Sequence, residues 1–199
     1  MNRPFILGLT GSIGMGKSAV AAMFREAGVP VFDADAAVHE LQGPQGALLD
    51  EIEQAFPGTT SERGVDRQKL GAAVFADPAA LKQLEAIVHP VVGALRQAFI
   101  AEHASAPLIV FDIPLLYEKG GEHGLDGVAV VSAPAELQRE RVLSRPGMCE
   151  TKFAQILGLQ VPDADKRARA DYVLDTGISL AETRRAVQRL VHALTRVQK

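Results

Sequence analysis

The sequence has little of several residue types, and each shortage excludes a class of protein. Its single cysteine, Cys149, excludes an intramolecular disulfide and a cysteine-based metal site. No run approaches the roughly 18 consecutive apolar residues of a membrane-spanning helix, and the first residues lack the apolar stretch of a secretory signal. We therefore expect a soluble, cytoplasmic protein with no membrane partner.

An excess of basic charge is also missing. The chain has 21 Lys and Arg against 24 Asp and Glu, which gives a net charge of −3 at pH 7. A nucleic-acid-binding domain usually has a clear basic footprint, so we expect no nucleic-acid partner. The 199 residues suffice for one domain, or for a core domain with an insertion, and they do not indicate an oligomeric state.

Five short apolar segments predict the strands of a buried sheet. Such segments suit strands with both faces covered, and their alternation with helical patterns indicates a parallel sheet. We therefore predict an α/β fold with three layers, α/β/α, around a five-stranded parallel sheet. The segments span residues 5–10, 29–32, 108–112, 127–132 and 172–175.

About 75 residues separate the second and third of these strands, far more than an ordinary connection contains. The helical patterns there predict that residues 36–104 form a helical insertion, while residues 1–35 and 105–199 form the core. The last pattern is interrupted at His89-Pro90, because proline ends or kinks a helix. The four patterns span residues 36–41, 47–56, 67–75 and 79–104.

Glycines concentrate where the first strand gives way to a helix, in GLTGSIGMGKSAV. Residues 11–18 match G-x-x-x-x-G-K-[ST], in which backbone N–H groups form a nest for phosphates and the helix N-terminus adds positive potential. In this motif the lysine, Lys17, reaches the β- and γ-phosphates, and the Ser18 hydroxyl binds Mg²⁺. The predicted phosphate-binding residues are Gly11, Ser12, Ile13, Gly14, Met15, Gly16, Lys17 and Ser18.

A second glycine signature overlaps this one. Gly14, Gly16 and Ala19 match the dinucleotide-binding pattern G-x-G-x-x-[GA], with Asp33 near the position of the ribose-binding acid. That pattern places its first glycine at the end of the strand, whereas Gly14 lies beyond the further segment 10–13, and it gives Lys17 no role. We therefore favour the phosphate-binding loop, with a ligand-free glycine-rich turn as the third alternative.

A phosphate-binding loop identifies a nucleoside triphosphate but not a reaction. Asn2 is the only asparagine, so the N-K-x-D guanine motif of switch GTPases is absent, and large motor ATPases need a longer chain. The remaining candidate is a small kinase with a core, an insertion that binds the acceptor, and a basic lid.

Over nearly its whole length the sequence resembles the dephospho-CoA kinase family, which transfers the γ-phosphate of ATP to the ribose 3′-hydroxyl of dephospho-CoA in the last step of coenzyme A synthesis. The resemblance implies a P-loop NTPase fold, the substrates ATP and dephospho-CoA, and Mg²⁺. Alternatives are another small-molecule or nucleoside monophosphate kinase of this architecture, or a regulatory module that binds ATP without transferring phosphate. The matching pieces are LGLTGSIGMGKS, VFDAD, LEAIVHPVV, VFDIPLLYE, QRERVLSR, Gln160, Lys166 and ADYVLDTG.

Carboxylates at strand ends are the candidates for the acceptor site. Asp33 ends the second strand, where parallel sheets build their sites, and it is predicted to take the proton of the acceptor hydroxyl or to orient it. A capping aspartate is the alternative, and that alternative suits Asp35 about as well. Asp112 ends the third strand and is predicted to hold Mg²⁺. The resemblance adds His89, so the expected acceptor site is Asp33, Asp35, His89 and Asp112.

Basic residues near the end of a further predicted helix, residues 135–144, are the candidates for binding the triphosphate. Arg141 and Arg145 lie four apart, on one helical face, and guanidinium groups bind phosphate oxygens bidentately. With Lys166 they are expected to close over the nucleotide, and Arg145 joins Lys17 and Asp33 as a predicted catalytic residue.

Two further features complete the predicted nucleotide site. Thr176 stands where the family usually has an asparagine near the base, so we expect it to contact ATP. Residues 145–165 contain Pro146, Gly147 and Pro162, predict irregular structure, and have the composition of a lid that excludes water.

Overall fold

The computed structural model describes residues 3–75 and 77–196, which contain seven strands and nine helices. The strands are β1 Phe5–Thr10, β2 Val31–Asp33, β3 Thr60–Ser61, β4 Gly64–Val65, β5 Leu108–Asp112, β6 Gly127–Ser132 and β7 Tyr172–Asp175. The helices are α1 Lys17–Glu26, α2 Ala34–Leu41, α3 Leu49–Ala55, α4 Arg67–Val74, α5 Pro78–Glu102, α6 Ala135–Leu143, α7 Glu150–Gly158, α8 Asp163–Arg169 and α9 Leu180–Arg196.

Five strands form one sheet in the order β2-β5-β1-β6-β7. β1 lies at its centre and pairs in parallel with β5 on one side and β6 on the other, while β6 pairs in parallel with β7. Every residue of β5 and β6 is buried, as expected of strands covered on both faces. The predicted α/β fold with a five-stranded parallel sheet is confirmed.

Because side chains alternate along a strand, the buried residues of β6 lie in two different apolar clusters. Ala129 and Val131 of β6 face a cluster that includes residues of α1 and α9, whereas Val128 and Val130 face Leu116 and its neighbours. The spacing of Ser179 and Glu182 predicts a capping box, and α9 begins with one: the Ser179 hydroxyl accepts from the Glu182 backbone N–H at 3.3 Å, and the Glu182 carboxylate accepts from the Ser179 backbone N–H at 3.2 Å.

The chain divides into two compact units: the core unit, with the described residues before Asp33 and after Glu102, and the insert unit, Asp33–Glu102. The insert unit has its own apolar cluster, which includes Leu48, Ile52 and Phe56, and the apolar residues of α5 pack against it. It also contains the short hairpin β3–β4, in which Gly64 has φ of 97°. The sequence does not predict this hairpin, since two-residue strands leave almost no periodic pattern.

The helix α5 runs through Pro90 without a break, so the predicted interruption at His89-Pro90 is wrong. Pro90 removes one backbone donor, but Leu84, Val88 and Val91 pack on the apolar cluster on both sides of it. Among the described residues α5 is also the one helix whose length and mean hydropathy of 1.2 would suit a membrane span. That match concerns length and composition alone, and none of the residues of α5 is fully buried.

The segment 145–165 is largely helical, which contradicts the predicted irregular structure. Its Pro and Gly residues mark helix boundaries: Gly147 has φ of 74° in the turn after α6, and Pro162 directly precedes α8. Between these boundaries α7 has one buried residue, Phe153. Packing of this aromatic side chain favours a helix where composition alone indicates a loop.

Candidate active site

The loop between β1 and α1 has the conformation that its glycines permit. Gly14 and Gly16 have φ of 79° and 86°, values that side chains other than glycine rarely adopt. A Cβ at Gly14 would also lie 2.5 Å from Val142 Cγ2 and 2.9 Å from the Gln138 carbonyl oxygen. The helix α6 therefore packs directly on the backbone of this loop, and Gly14 is required for both reasons.

Lys17 and Asp112 form an ion pair at the carboxyl end of the sheet. Asp112 ends β5, next to the end of β1, and Lys17 is the first residue of α1. Their side chains are only 17% and 5% exposed, so water solvates the two charges poorly. Each charge therefore depends on the other for compensation. The structure thus brings together the predicted phosphate-binding lysine and the predicted magnesium-binding carboxylate.

Thr176 contacts the loop through its own hydroxyl. The side chain is buried, and its hydroxyl donates to the Met15 carbonyl at 2.7 Å. Arg141 donates to the Thr176 carbonyl at 2.7 Å and to its hydroxyl at 3.2 Å. Thr176 and Arg141 therefore lie beside the loop, and the threonine hydroxyl supports the loop backbone.

Two glutamines hold the backbone of Ile13. The Gln138 side chain donates to the Ile13 carbonyl at 2.7 Å, and the Gln160 side-chain oxygen accepts from the Ile13 N–H at 3.0 Å. Sequence reasoning assigns no role to either residue. The available signal is that both belong to the pieces that resemble the family: Gln138 begins QRERVLSR, and Gln160 is a matching residue by itself.

Arg145 and Lys166 occupy different environments. Arg145 is exposed just after α6, in a position open to a ligand. Lys166 is completely buried, and its ammonium lies 2.7 Å from Glu118 Oε1. The expectation that Lys166 closes over the triphosphate is therefore wrong, because its charge is committed to a carboxylate inside the core unit.

Glu118 is ionised in this buried pair. Burial alone would raise its pKa, but the hydrogen bond from Lys166, backbone N–H groups that include that of Val161, and the charge of Lys166 together lower the pKa below the usual value of 4.5. The Val161 N–H donates to Glu118 Oε1 at 3.0 Å. The pair therefore ties α8, and the segment before it, to the segment after β5.

Three predicted acceptor residues belong to the insert unit. Asp33 is the N-cap of α2, and its Oδ1 accepts from the Ala36 N–H at 2.9 Å. Asp35 is exposed in the first turn of α2, and His89 is exposed on α5. The capping interpretation therefore holds for Asp33, and the cap also fixes the direction of its carboxylate.

The oxygen donors for Mg²⁺ are few. Ser18 presents an exposed hydroxyl in the first turn of α1, and Asp112 supplies a carboxylate. Within residues 3–75 and 77–196 no three His, Cys, Asp or Glu side chains cluster in a way that could hold a metal ion. This donor set suits Mg²⁺, which is usually held by one or two protein oxygens together with substrate phosphates and water.

The family model and a relative that match this chain have the same description. A family model described as dephospho-CoA kinase matches residues 5–182. A relative named dephospho-CoA kinase, from Novosphingobium aromaticivorans, is 69% identical over 194 residues, or 98% of this chain and 96% of the relative.

Solved structures have the same fold. The crystal structure of TT1252 from Thermus thermophilus is 39% identical with a TM-score of 0.85, and the match covers 97% of this chain and 99% of the other. The dephospho-CoA kinase from Campylobacter jejuni has a TM-score of 0.64 at 24% identity, with coverage of 96% and 97%.

Proposed function

Since the chain belongs to the dephospho-CoA kinase family, we propose which of its residues carry out each part of the reaction. The enzyme phosphorylates the ribose 3′-hydroxyl of dephospho-CoA with ATP and so forms coenzyme A. The observation that carries this conclusion is the 69% identity to a dephospho-CoA kinase over 98% of the chain.

The loop at residues 11–18 binds the phosphates of ATP. Its glycines adopt the positive φ values of an anion-binding nest, and α1 directs its N-terminus at the same place. Lys17 leaves Asp112, or shares its charge with it, when the triphosphate arrives. Its ammonium then compensates the negative charge that develops on the transferred group.

Ser18 and Asp112 would hold Mg²⁺ together with phosphate oxygens. The exposed Ser18 hydroxyl and the Asp112 carboxylate are the hard oxygen ligands that this ion prefers. When bound, Mg²⁺ would neutralise phosphate charge. With Asp112 turned to the metal ion, Lys17 would contact the phosphates instead of that carboxylate.

Asp33 activates the acceptor. Its carboxylate is oriented by the hydrogen bond from the Ala36 N–H and takes the proton of the 3′-hydroxyl. The hydroxyl oxygen forms its bond to the γ-phosphorus while the bond from that phosphorus to the β–γ bridging oxygen breaks, so ADP leaves with the electron pair. Asp35, His89 and Asp112 complete the acceptor site.

Arg141 and Arg145 bind the nucleotide, and Arg145 stabilises the transferred phosphoryl group. Arg141 is held in place by Thr176, whereas Arg145 is exposed and able to move.

The core of the enzyme consists of residues 1–35 and 105–199, and residues 145–165 of this core act as the lid. Residues 36–104 form the insertion that binds the acceptor. The partners are small molecules, with no nucleic acid and no membrane, and the enzyme works in the cytoplasm.

An acceptor panel tests this assignment. ADP release is measured with ATP, Mg²⁺ and one of four acceptors: dephospho-CoA, AMP, CMP or shikimate. We expect dephospho-CoA to be preferred by orders of magnitude, and the product to carry its new phosphate on the 3′-oxygen. Preference for another acceptor would indicate a different small-molecule kinase. Tight ATP binding without turnover on any acceptor would indicate a regulatory module.

A further inference from the structure

Side chains from elsewhere in the fold hold the phosphate-binding loop at Met15, through Thr176, and at Ile13. At Ile13 both backbone polar groups are engaged by side chains: Gln160 accepts from its N–H at 3.0 Å, and Gln138 donates to its carbonyl at 2.7 Å. These partners are 147 and 125 residues away along the chain. Only the fold brings them to this loop.

The two glutamines come from different elements. Gln138 is buried on α6, three residues before Arg141, so the two side chains point to the same side of that helix. Gln160 is partly buried between α7 and α8, within the segment proposed as the lid. The loop backbone is therefore connected to the proposed lid through Gln160 and to α6, which precedes the lid, through Gln138.

We propose that Gln138 and Gln160, called here the glutamine clamp, are positioning residues for ATP. Backbone N–H and carbonyl groups need partners when they are withdrawn from water. By pairing both groups of Ile13, the clamp fixes the peptides that precede Gly14 and so holds the following N–H groups ready for phosphate before ATP arrives. The proposal rests on the function proposed above, because it assigns these residues to the ATP site of that kinase.

The two glutamines have opposite hydrogen-bonding roles, and this difference makes the clamp testable. Gln160 acts as an acceptor, so Gln160→Glu keeps the necessary oxygen, while Gln160→Met keeps the size and loses it. Gln138 acts as a donor, so Gln138→Glu places a carboxylate against the Ile13 carbonyl, whereas Gln138→Met only removes the bond. The expected loss of ATP affinity therefore has the opposite order at the two positions. At position 160 it is larger for Met than for Glu, and at position 138 it is larger for Glu than for Met.

The experiment measures kcat, KM for ATP and KM for dephospho-CoA in these four variants, together with the exchange rate of the Ile13 amide proton by NMR in the free protein. Loss of one neutral hydrogen bond predicts a rise of about 3- to 10-fold in KM for ATP, with KM for dephospho-CoA unchanged. Ile13 amide exchange should accelerate in Gln160→Met and stay slow in Gln160→Glu. Gln188→Met is the matched control, because Gln188 is exposed on α9.

Several results would overturn the clamp. One is an unchanged KM for ATP and unchanged Ile13 exchange in Gln160→Met, and another is the same order of Met and Glu at both positions. An equal rise in both KM values with a lowered melting temperature would show general structural damage. ATP affinity by calorimetry, without any acceptor, gives the same ranking if the clamp is correct, so it tests the clamp even if dephospho-CoA proves not to be the acceptor.

Discussion

At the scale of single residues, Asp33 has a structural role and a proposed catalytic role, and the substitution Asp33→Asn separates the two. It caps α2 through its side chain and is proposed to take the proton of the acceptor hydroxyl. Asparagine also caps helices well, but it cannot accept that proton. The fold should therefore tolerate Asp33→Asn even though catalysis should not.

We expect Asp33→Asn to lower kcat by about 10²- to 10⁴-fold, the usual contribution of a general base, with little change in KM for ATP. Steady-state kinetics and a thermal melt of the same sample provide the measurement. Asp33→Ala is the companion variant, because it should lose the cap as well and cost about 1 kcal/mol of stability. Full activity in Asp33→Asn would remove this residue from the mechanism.

Lys17 also has a structural and a functional role, since its ammonium is the charge partner of the nearly buried Asp112. Lys17→Ala should lower kcat at least about 10²- to 10³-fold, because phosphate charge compensation is lost. It should also destabilise the ATP-free protein by up to about 3 kcal/mol, since Asp112 loses that partner.

The double variant Lys17→Ala/Asp112→Asn should regain most of that stability but none of the activity. Kinetics and denaturant unfolding measure the two effects separately. Lys69→Ala, at an exposed lysine on α4, is the control and should change neither. Comparable activity in Lys17→Ala and the native enzyme would contradict the proposed phosphate contact.

At the scale of secondary-structure elements, the buried pair Glu118–Lys166 connects α8 to the segment after β5. Because the pKa of Glu118 is lowered in the folded protein, folding favours its ionised form. The resulting stability is fully present above the unfolded pKa near 4.5, and it is lost as the pH falls through the lower folded pKa.

Glu118→Gln should therefore destabilise the protein by about 3–5 kcal/mol at pH 7, because it leaves Lys166 buried without its counter-charge. The difference from the native protein should shrink below pH 4.5. Denaturant unfolding from pH 7 to pH 3 measures both effects. Glu122→Gln breaks the exposed pair with Arg169 and should cost at most about 1 kcal/mol; equal losses in the two variants would contradict this account.

The elements also show where periodic patterns mislead. The proline in α5 and the Pro and Gly residues around α7 predict breaks in helical structure, yet α5 continues through Pro90 and α7 forms between the boundary residues. In both cases apolar contacts stabilise a helix that local composition disfavours. A single sequence does not reveal such contacts before the fold is known.

At the scale of the whole molecule, ATP binding should stabilise the protein, because a ligand that binds only the folded state adds to its stability. At 100 times Kd the gain is about 2.7 kcal/mol, or about 5–10 °C in Tm for a chain of this length. A thermal melt with ATP and Mg²⁺ measures it. AMP, which lacks the β- and γ-phosphates, should give a much smaller shift, and equal shifts would argue against phosphate binding as the main source of affinity.

Features that depend on neighbours along the chain follow from the amino-acid sequence alone. The buried strands, the phosphate-binding loop with Lys17 and Ser18, and the capping box of α9 were all predicted from local patterns, and the structure shows each with the expected local form. The order of the motifs also sufficed to indicate the family.

Contacts between polar groups far apart along the chain follow only from the three-dimensional packing. In the folded protein Lys166 forms an ion pair with Glu118, and the Thr176 hydroxyl donates to the Met15 carbonyl. Gln138 and Gln160 form hydrogen bonds with the backbone of Ile13. These partners lie tens to more than a hundred residues apart, so no spacing rule connects them. Their meeting depends on how strands and helices pack, and the packing is set by the burial of the apolar faces as a whole.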